Sequence, residues 1–270
     1  MRARGWEIRG TTRSPDRALA LEGEGVRPFL FERGRPLPAE ALAGVTHVLV
    51  SIPPDEQGDP VLDRHGHDLR RLAGLAWVGW LGTTGVYGDR GGGWVEEDTP
   101  LDPSTARTDR RARAEAAWQA SGLPVHLFRL AGIYGPGRNA IRQLLDGTAR
   151  RIVKPGQVFS RIHVEDIAST LEASMARPNP GRVYNVCDDE PAPPQDVVAF
   201  AAELLGVPPP PEEPFETAAL SPVARSFYRD NRRVRNERIK AELGVRLAYP
   251  SYREGLRALL PIETGARTRS

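Results

Sequence analysis

Apolar and polar positions alternate along this chain in two rhythms. Short apolar runs at 6–11, 28–31, 47–52, 76–81 and 125–130 have the length of strands. Between them, near 15–22, 37–43, 61–73 and 104–121, apolar residues recur at helical spacing. The runs at 47–52 and 76–81 are nearly unbroken, as expected of strands covered on both faces. Strand and helix alternating in this way predict an α/β fold, a doubly wound parallel sheet with right-handed crossovers.

The second half has a different texture. The turn Gly135-Pro136-Gly137 leads to a helix near 138–148, and a basic stretch follows at 150–154. A helix is predicted near 165–176 and a strand at 182–186. The four prolines from Pro208 to Pro211 form a stiff connector. Helices near 231–243 and 251–260 close the pattern, and 263–270, with no apolar rhythm, are expected to be a disordered tail.

Composition narrows the classes. Hydrophobic residues are 40 % and charged residues 27 %, so a folded globular chain with a sizeable core is expected. A net charge of +2 gives no reason to expect a nucleic-acid or membrane partner. Cys187 stands alone, which rules out an internal disulfide and a cysteine-based zinc site and fits a cytoplasmic protein. No apolar run reaches the roughly 20 residues that span a bilayer.

The pattern also omits something. A dinucleotide fold opens with a strand, a glycine-rich turn and a helix, which supply the backbone N–H groups that hold a pyrophosphate. Here the run at 6–11 reads as the second strand of such a fold. The sheet is therefore expected to lack its first strand and glycine-rich turn, leaving 6–11 and 47–52 without their shared neighbour. A start at an internal Met, with an upstream segment of roughly 20–25 residues, is the expectation that accounts for this.

Five motifs carry a resemblance. The segment Leu81-Gly82-Thr83-Thr84-Gly85-Val86-Tyr87-Gly88 follows an apolar strand, at the sheet edge where open α/β folds bind ligands. It resembles the S-S/T-x-x-V-Y-G signature of the extended short-chain dehydrogenase/reductase superfamily. Asp98-Thr99-Pro100-Leu101-Asp102-Pro103 is similar to that family's E-D-T-P-x-x-P, and the segment from Arg129 through Tyr134 to Gly137 to its R-x-x-x-x-Y-G-P-G. Ile162-His163-Val164-Glu165-Asp166-Ile167-Ala168 resembles I-H-V-x-D-x-A, and Tyr184-Asn185-Val186 resembles Y-N-V. Their order also matches. The resemblance is strongest to the atypical, NAD-dependent epimerase/dehydratase-like branch. It implies a dinucleotide-binding Rossmann domain over 1–134, N-terminally incomplete, and a small substrate lobe with returning Rossmann elements over 135–262.

The resemblance also implies roles. Thr83 matches the hydroxyl that polarises a substrate carbonyl, with Thr84 beside it; both residue types also end strands as a matter of course. Counting back from Glu115, Arg107 stands in the place of the family's catalytic Tyr and Arg111 in that of its Lys. Arg111 would bind ribose hydroxyls; Arg107 cannot be a general acid near neutral pH. Tyr87 and Tyr134 are the nearest phenols to stand in, unless Tyr87 packs under the sheet edge. Arg129 and Arg138 flank the substrate turn and would bind an anionic group or pair with buried carboxylates.

On the cofactor side, Thr12, Arg13 and Ser14 end the first visible strand with no carboxylate before Asp16. This favours NADP over NAD, with Ser14 and Pro15 also a helix start. Ser51, Ile52 and Pro53 resemble the loop over the adenosine side. Gly132 to Gly137 imitates a phosphate turn, but its proline removes a donor. His65 and His67 lie on different helix faces and are expected to be solvated, with no metal bound. His163 and Asp166 read as structural.

Two functions remain open: an NAD(P)-dependent oxidoreductase or epimerase/dehydratase acting on a small carbonyl, carbinol or sugar-like molecule, and a non-catalytic NAD(P)-binding sensor. A small-molecule substrate is the expected partner, with the chain a monomer or homodimer.

Overall fold

The structure is a computed structural model and describes residues 5–265. In chain order it runs β1 (Arg9–Thr12), α1 (Pro15–Gly23), β2 (Arg27–Leu30), α2 (Ala39–Leu42), β3 (His47–Val50), α3 (Pro60–Arg70) and β4 (Trp77–Thr83). After a 3-10 turn (Thr84–Tyr87) come β5 (Trp94–Val95), α4 (Ala106–Gln119), β6 (Val125–Leu130), β7 (Gly132–Tyr134), α5 (Ala140–Leu145), β8 (Arg151–Val153) and β9 (Arg161–His163). The remainder is α6 (Val164–Ala176), β10 (Val183–Val186), α7 (Pro194–Leu205), β11 (Glu212–Pro214), α8 (Pro222–Phe227), β12 (Arg233–Val234), α9 (Glu237–Leu243) and α10 (Tyr252–Thr264).

The central sheet has the order β10-β6-β4-β3, and every pair in it is parallel. Strands β1 and β2 pair in parallel as a separate sheet. The doubly wound architecture is thus present with its middle strand missing among the described residues: β1 and β3, which should share a neighbour, face each other across a gap. β6 is buried along its whole length, and β4 over its first four residues, as double-sided helix cover requires. Around them Trp77, Phe128 and Tyr184 form a ring stack with centroids 6.1 and 5.8 Å apart.

Local chemistry sets the helix starts. Ser14 Oγ accepts from the Arg17 N–H and Pro15 opens α1; Asp59 Oδ1 accepts from the Val61 and Leu62 N–H groups and Pro60 opens α3. Thr105 and Thr108 form a reciprocal cap at the head of α4.

Three expectations change. The helix near 231–243 begins only at Glu237, because Arg233 and Arg235 donate their N–H groups to the carbonyls of Gly93 and Val95 and make strand pairing with β5. The helix α7 was not anticipated: its proline-rich start obscured the apolar face that buries Val197, Val198 and Phe200. The closing helix extends through Thr264, so the expected tail at 263–264 is helical, and 266–270 lie outside the described residues. Among the described residues no helix is long and apolar enough to cross a membrane.

Candidate functional site

Because the strands are parallel, their carboxyl ends collect along one edge. Thr12, Arg13 and Ser14 end β1, Ser51 to Pro53 follow β3, and Thr83 closes β4. Thr83 is half-buried; its Oγ1 accepts from the Gly85 N–H at 3.1 Å, so its own proton remains available to a substrate oxygen. Thr84 is buried and donates to the Leu130 carbonyl at 3.4 Å, which assigns it to joining β4 and β6 rather than to substrate.

Arg107 and Arg111 lie four apart on α4 and so share a face. Arg111 Nη1 donates to the Leu81 carbonyl at 3.0 Å, two residues before Thr83. Burial, with the Arg107 charge second, lowers Arg111 from the ordinary guanidinium value, and it stays cationic. Arg107 lies over the Phe227 ring, its guanidinium carbon 4.8 Å from the centroid. Arg111 is thus a cation tied to the end of β4, and Arg107 is a cation held by an aromatic face from α8.

Tyr87 is not exposed to a site. It is fully buried; its hydroxyl donates to Asn185 Oδ1 at 2.7 Å and accepts from Arg129 Nη1 at 2.7 Å, and burial pushes it up to about 12. Arg129 is 5 % exposed and bonds Glu115 and the Glu97 carbonyl, so it pairs with a carboxylate instead of greeting an anion. Glu97 Oε1 in turn accepts from the Asn185 N–H at 2.9 Å. Three of the sequence motifs therefore converge in one buried network, through Tyr87, Arg129 and Asn185, joined by Glu97 just ahead of a fourth, and its physical task is to tie β4, β6 and β10 to α4. Spacing along the chain cannot show which way these side chains face.

Tyr134 is buried, donates to the Ser251 carbonyl at 3.3 Å and is pushed upward by burial, so it too is removed as a proton donor. Arg138 is exposed beside the turn, whose Gly135 and Arg138 backbones bridge. The Gly137 N–H already donates to Glu263 Oε1 at 2.6 Å, and Asn139 Nδ2 to the same oxygen at 2.7 Å; a protein carboxylate fills the phosphate-like turn. His65 is buried rather than solvated: its Nε2 accepts from the Leu37 N–H at 3.0 Å and its Nδ1 contacts Asp68. Among the described residues no cluster could hold a metal ion. His163 Nδ1 accepts from the Glu165 N–H, and the Asp166 carboxylate accepts from the Ala248 and Tyr249 N–H groups, both structural.

Sequence reasoning missed Asp188. It follows β10, is 1 % exposed, and burial pushes its carboxyl up to about 8 against the opposing charge of Arg161. A carboxylate two residues past the end of the Val183–Val186 strand was the available signal.

The residues flanking the gap suit the two ends of a dinucleotide: Thr12, Arg13 and Ser14 on one side, Ser51 to Pro53 opposite, and Thr83 with Arg111 farther along. Between them the described residues include no glycine-rich turn opening a helix, so no donor set for the diphosphate is present. The fit is to the ends and not to the middle.

Known proteins bear on this geometry. No protein-family model matches the chain. It is similar to a solved, functionally unknown conserved protein from Silicibacter pomeroyi DSS, at 58 % identity and TM-score 0.91 over 96 % of this chain and 92 % of that one. It is 32 % identical over 181 residues to a 3-diazoavenalumate denitrifying reductase from Streptomyces, covering 60 % of this chain and 58 % of that protein. In fold it is similar to dTDP-glucose 4,6-dehydratase from Bacillus anthracis in complex with NAD, with TM-score 0.74 and 18 % identity over 94 % and 85 % of the two chains.

Proposed function

We propose, from the premise that this chain belongs to the extended short-chain dehydrogenase/reductase family in its epimerase/dehydratase-like branch, that it is an NAD(P)-dependent oxidoreductase or epimerase/dehydratase. The substrate class is a small carbonyl, carbinol or sugar-like molecule. The reading rests on Thr83: a half-buried hydroxyl with a free proton, at the carboxyl end of a central strand, with the Arg111 cation bonded two residues upstream. In that place Thr83 orients and polarises a substrate oxygen. Arg111 supplies positive charge beside it and, in the Lys position, bonds ribose hydroxyls. The nicotinamide, when bound, supplies the redox chemistry.

NADP is the preferred form in this reading, since Arg13 with Thr12 and Ser14 offers a cation and hydroxyls to a 2′-phosphate and no carboxylate precedes Asp16. The lone, buried Cys187 supports a cytoplasmic setting.

A second reading, a dinucleotide-binding sensor without catalysis, is favoured by one observation: Tyr87 and Tyr134 are both enclosed, and Arg107 holds the place of the acid. Titration with NADPH followed by turnover against a panel of aldehydes and ketones separates the two. Turnover that drops roughly 100-fold in Thr83→Ala with unchanged NADPH affinity supports the enzyme. Binding without turnover, indifferent to Thr83→Ala, supports the sensor.

A further inference from the structure

We propose that Arg107, backed by Phe227, binds an oxyanion on the substrate, so that the preferred substrate is a small carbonyl compound carrying a carboxylate or a phosphate. The place of that anion beside the reacting carbonyl rests on the reading of Thr83 as the hydroxyl that meets the substrate oxygen.

The core-facing stripe of α4 leads to this cation. At roughly 100° per residue, Arg107, Arg111, Ala114 and Trp118 share one narrow stripe of the helix. Ala114 and Trp118 are buried in the same core cluster as Val78 and Trp80 of β4. Nearer the amino end of α4, Arg111 Nη1 donates to the Leu81 carbonyl at 3.0 Å. Thr108 abuts the turn beyond β4, since a Cβ on Gly85 would stand 3.0 Å from its Cγ2. Helix and strand thus run in opposite senses. Arg107, one turn or about 5.4 Å past Arg111, overhangs the carboxyl end of β4 where Thr83 lies.

Charge balance differs around α4. Off the stripe, Arg110 pairs with Glu56 at 3.9 Å and Arg113 pairs with Asp109. On the stripe, neither Arg107 nor Arg111 forms an ion pair with a carboxylate among the described residues. The charge of Asp59 bears on Arg111, but its oxygens already accept from the Val61 and Leu62 N–H groups and the Trp80 indole. Like charges four apart on a helix repel. An arriving oxyanion relieves that repulsion and makes charge-assisted bonds to the guanidinium fork.

Phe227 fixes how the fork is presented. The Arg107 guanidinium carbon lies 4.8 Å from the ring centroid. A ring face holds a guanidinium without taking an N–H group, and no Arg107 N–H has a protein acceptor among the described residues. Arg129 is the contrast: it lies over Tyr87 at 4.9 Å, with its N–H groups taken by Glu115, the Tyr87 hydroxyl and the Glu97 carbonyl. Phe227 is 49 % exposed and no residue of α8 is buried, so the core does not place this ring. Arg229 adds a cation to the same rim, donating to the Ser104 carbonyl at 3.4 Å, and the rim carboxylate Asp230 is already paired with Arg232.

Ligand-observed NMR on the 270-residue chain tests the assignment, with para-carboxybenzaldehyde, para-formylphenyl phosphate and the neutral para-formylbenzamide as probes. We expect at least one anionic probe to bind roughly tenfold or more tighter than the amide, and the stronger of the two tells carboxylate from phosphate. Arg107→Gln should erase that preference and leave the amide within about twofold. Arg107 is exposed, so this variant should melt like the parent. Arg107→Lys should keep part of the preference. Phe227→Leu should weaken the anionic probe roughly threefold, and Arg110→Gln should change nothing. The assignment fails if charged and neutral probes bind alike, if Arg107→Gln weakens all three equally, or if none binds at roughly millimolar concentration. It fails in favour of the cofactor's own phosphates if saturating NADPH abolishes the preference. Anion preference without turnover of any carbonyl would sink the enzyme reading and leave this site standing. Turnover of charged and neutral aldehydes with equal affinity would do the reverse.

Discussion

Arg129 and Glu115 lock strand to helix inside the protein. Arg129 Nε donates to both Glu115 oxygens, at 3.2 and 3.1 Å, and Nη2 donates to Oε1 at 2.5 Å, with the residues 5 % and 3 % exposed. Removing one partner leaves a buried charge without compensation. Glu115→Ala should therefore cost about 3–5 kcal/mol in urea denaturation. Glu115→Leu combined with Arg129→Met should recover much of that loss. A double variant as unstable as the single one would show that packing, not charge, holds this joint.

Arg13 is exposed at the end of β1 with Thr12 and Ser14 around it. If it meets a 2′-phosphate, Arg13→Ala should weaken NADPH roughly 10–100-fold, the worth of a charge-assisted bond, and leave NADH within about twofold. Fluorescence titration with both dinucleotides measures this. Equal loss for both would remove the NADP preference.

Arg107 and Arg111 lie four apart on α4, and in the proposed reading they stand in the places of the acid and the cation. Arg107→Tyr with Arg111→Lys restores a phenol beside an ammonium. A general acid contributes about 100- to 10,000-fold, so turnover of a reducible carbonyl should rise by at least roughly 100-fold in the double variant. Unchanged turnover with intact NADPH binding would place the missing proton elsewhere.

Asp188 links stability to pH. Its folded-state value of about 8 lies above the ordinary 3.8, so the folded protein keeps a proton that the unfolded chain releases. That contribution is complete below about pH 4 and is lost as pH rises toward 8, then levels off. The melting temperature should fall across that window, and Asp188→Asn should flatten the fall. Parallel slopes for the two proteins would contradict the assignment.

Much of this was legible in the residues. The strand expected at 125–130 is β6 to the residue, and those at 47–52 and 76–81 shift by no more than two. Unbroken apolar runs between polar turns leave few alternatives. The split sheet was legible as well, since a strand order with its middle member missing must open there. The stretch at 231–243 was not, because pairing of Arg233 and Val234 with Trp94 and Val95 joins residues far apart in sequence. At the candidate site, Thr83 ends β4 and Arg111 bonds the Leu81 carbonyl on the same strand. Tyr87 and Arg129 carried equally visible motifs, and only the packed structure shows that they turn inward to Glu115 and Asn185. A signature marks which residues a fold depends on, without separating those that hold it from those that act.

The arginines that reach across the divided sheet give the molecule a second character. Arg33 is fastened to Asp55, Asp63 and the Gly58 carbonyl, and Arg9 to three carbonyls around α2. The unit of β1, α1 and β2 is thus moored by partly exposed cations where its neighbours are knitted by backbone ladders. Such moorings slacken as added ions screen them, while buried ladders hardly respond. The amino-terminal unit should accordingly loosen in brine before the body of the protein does, which hydrogen exchange at rising salt would show.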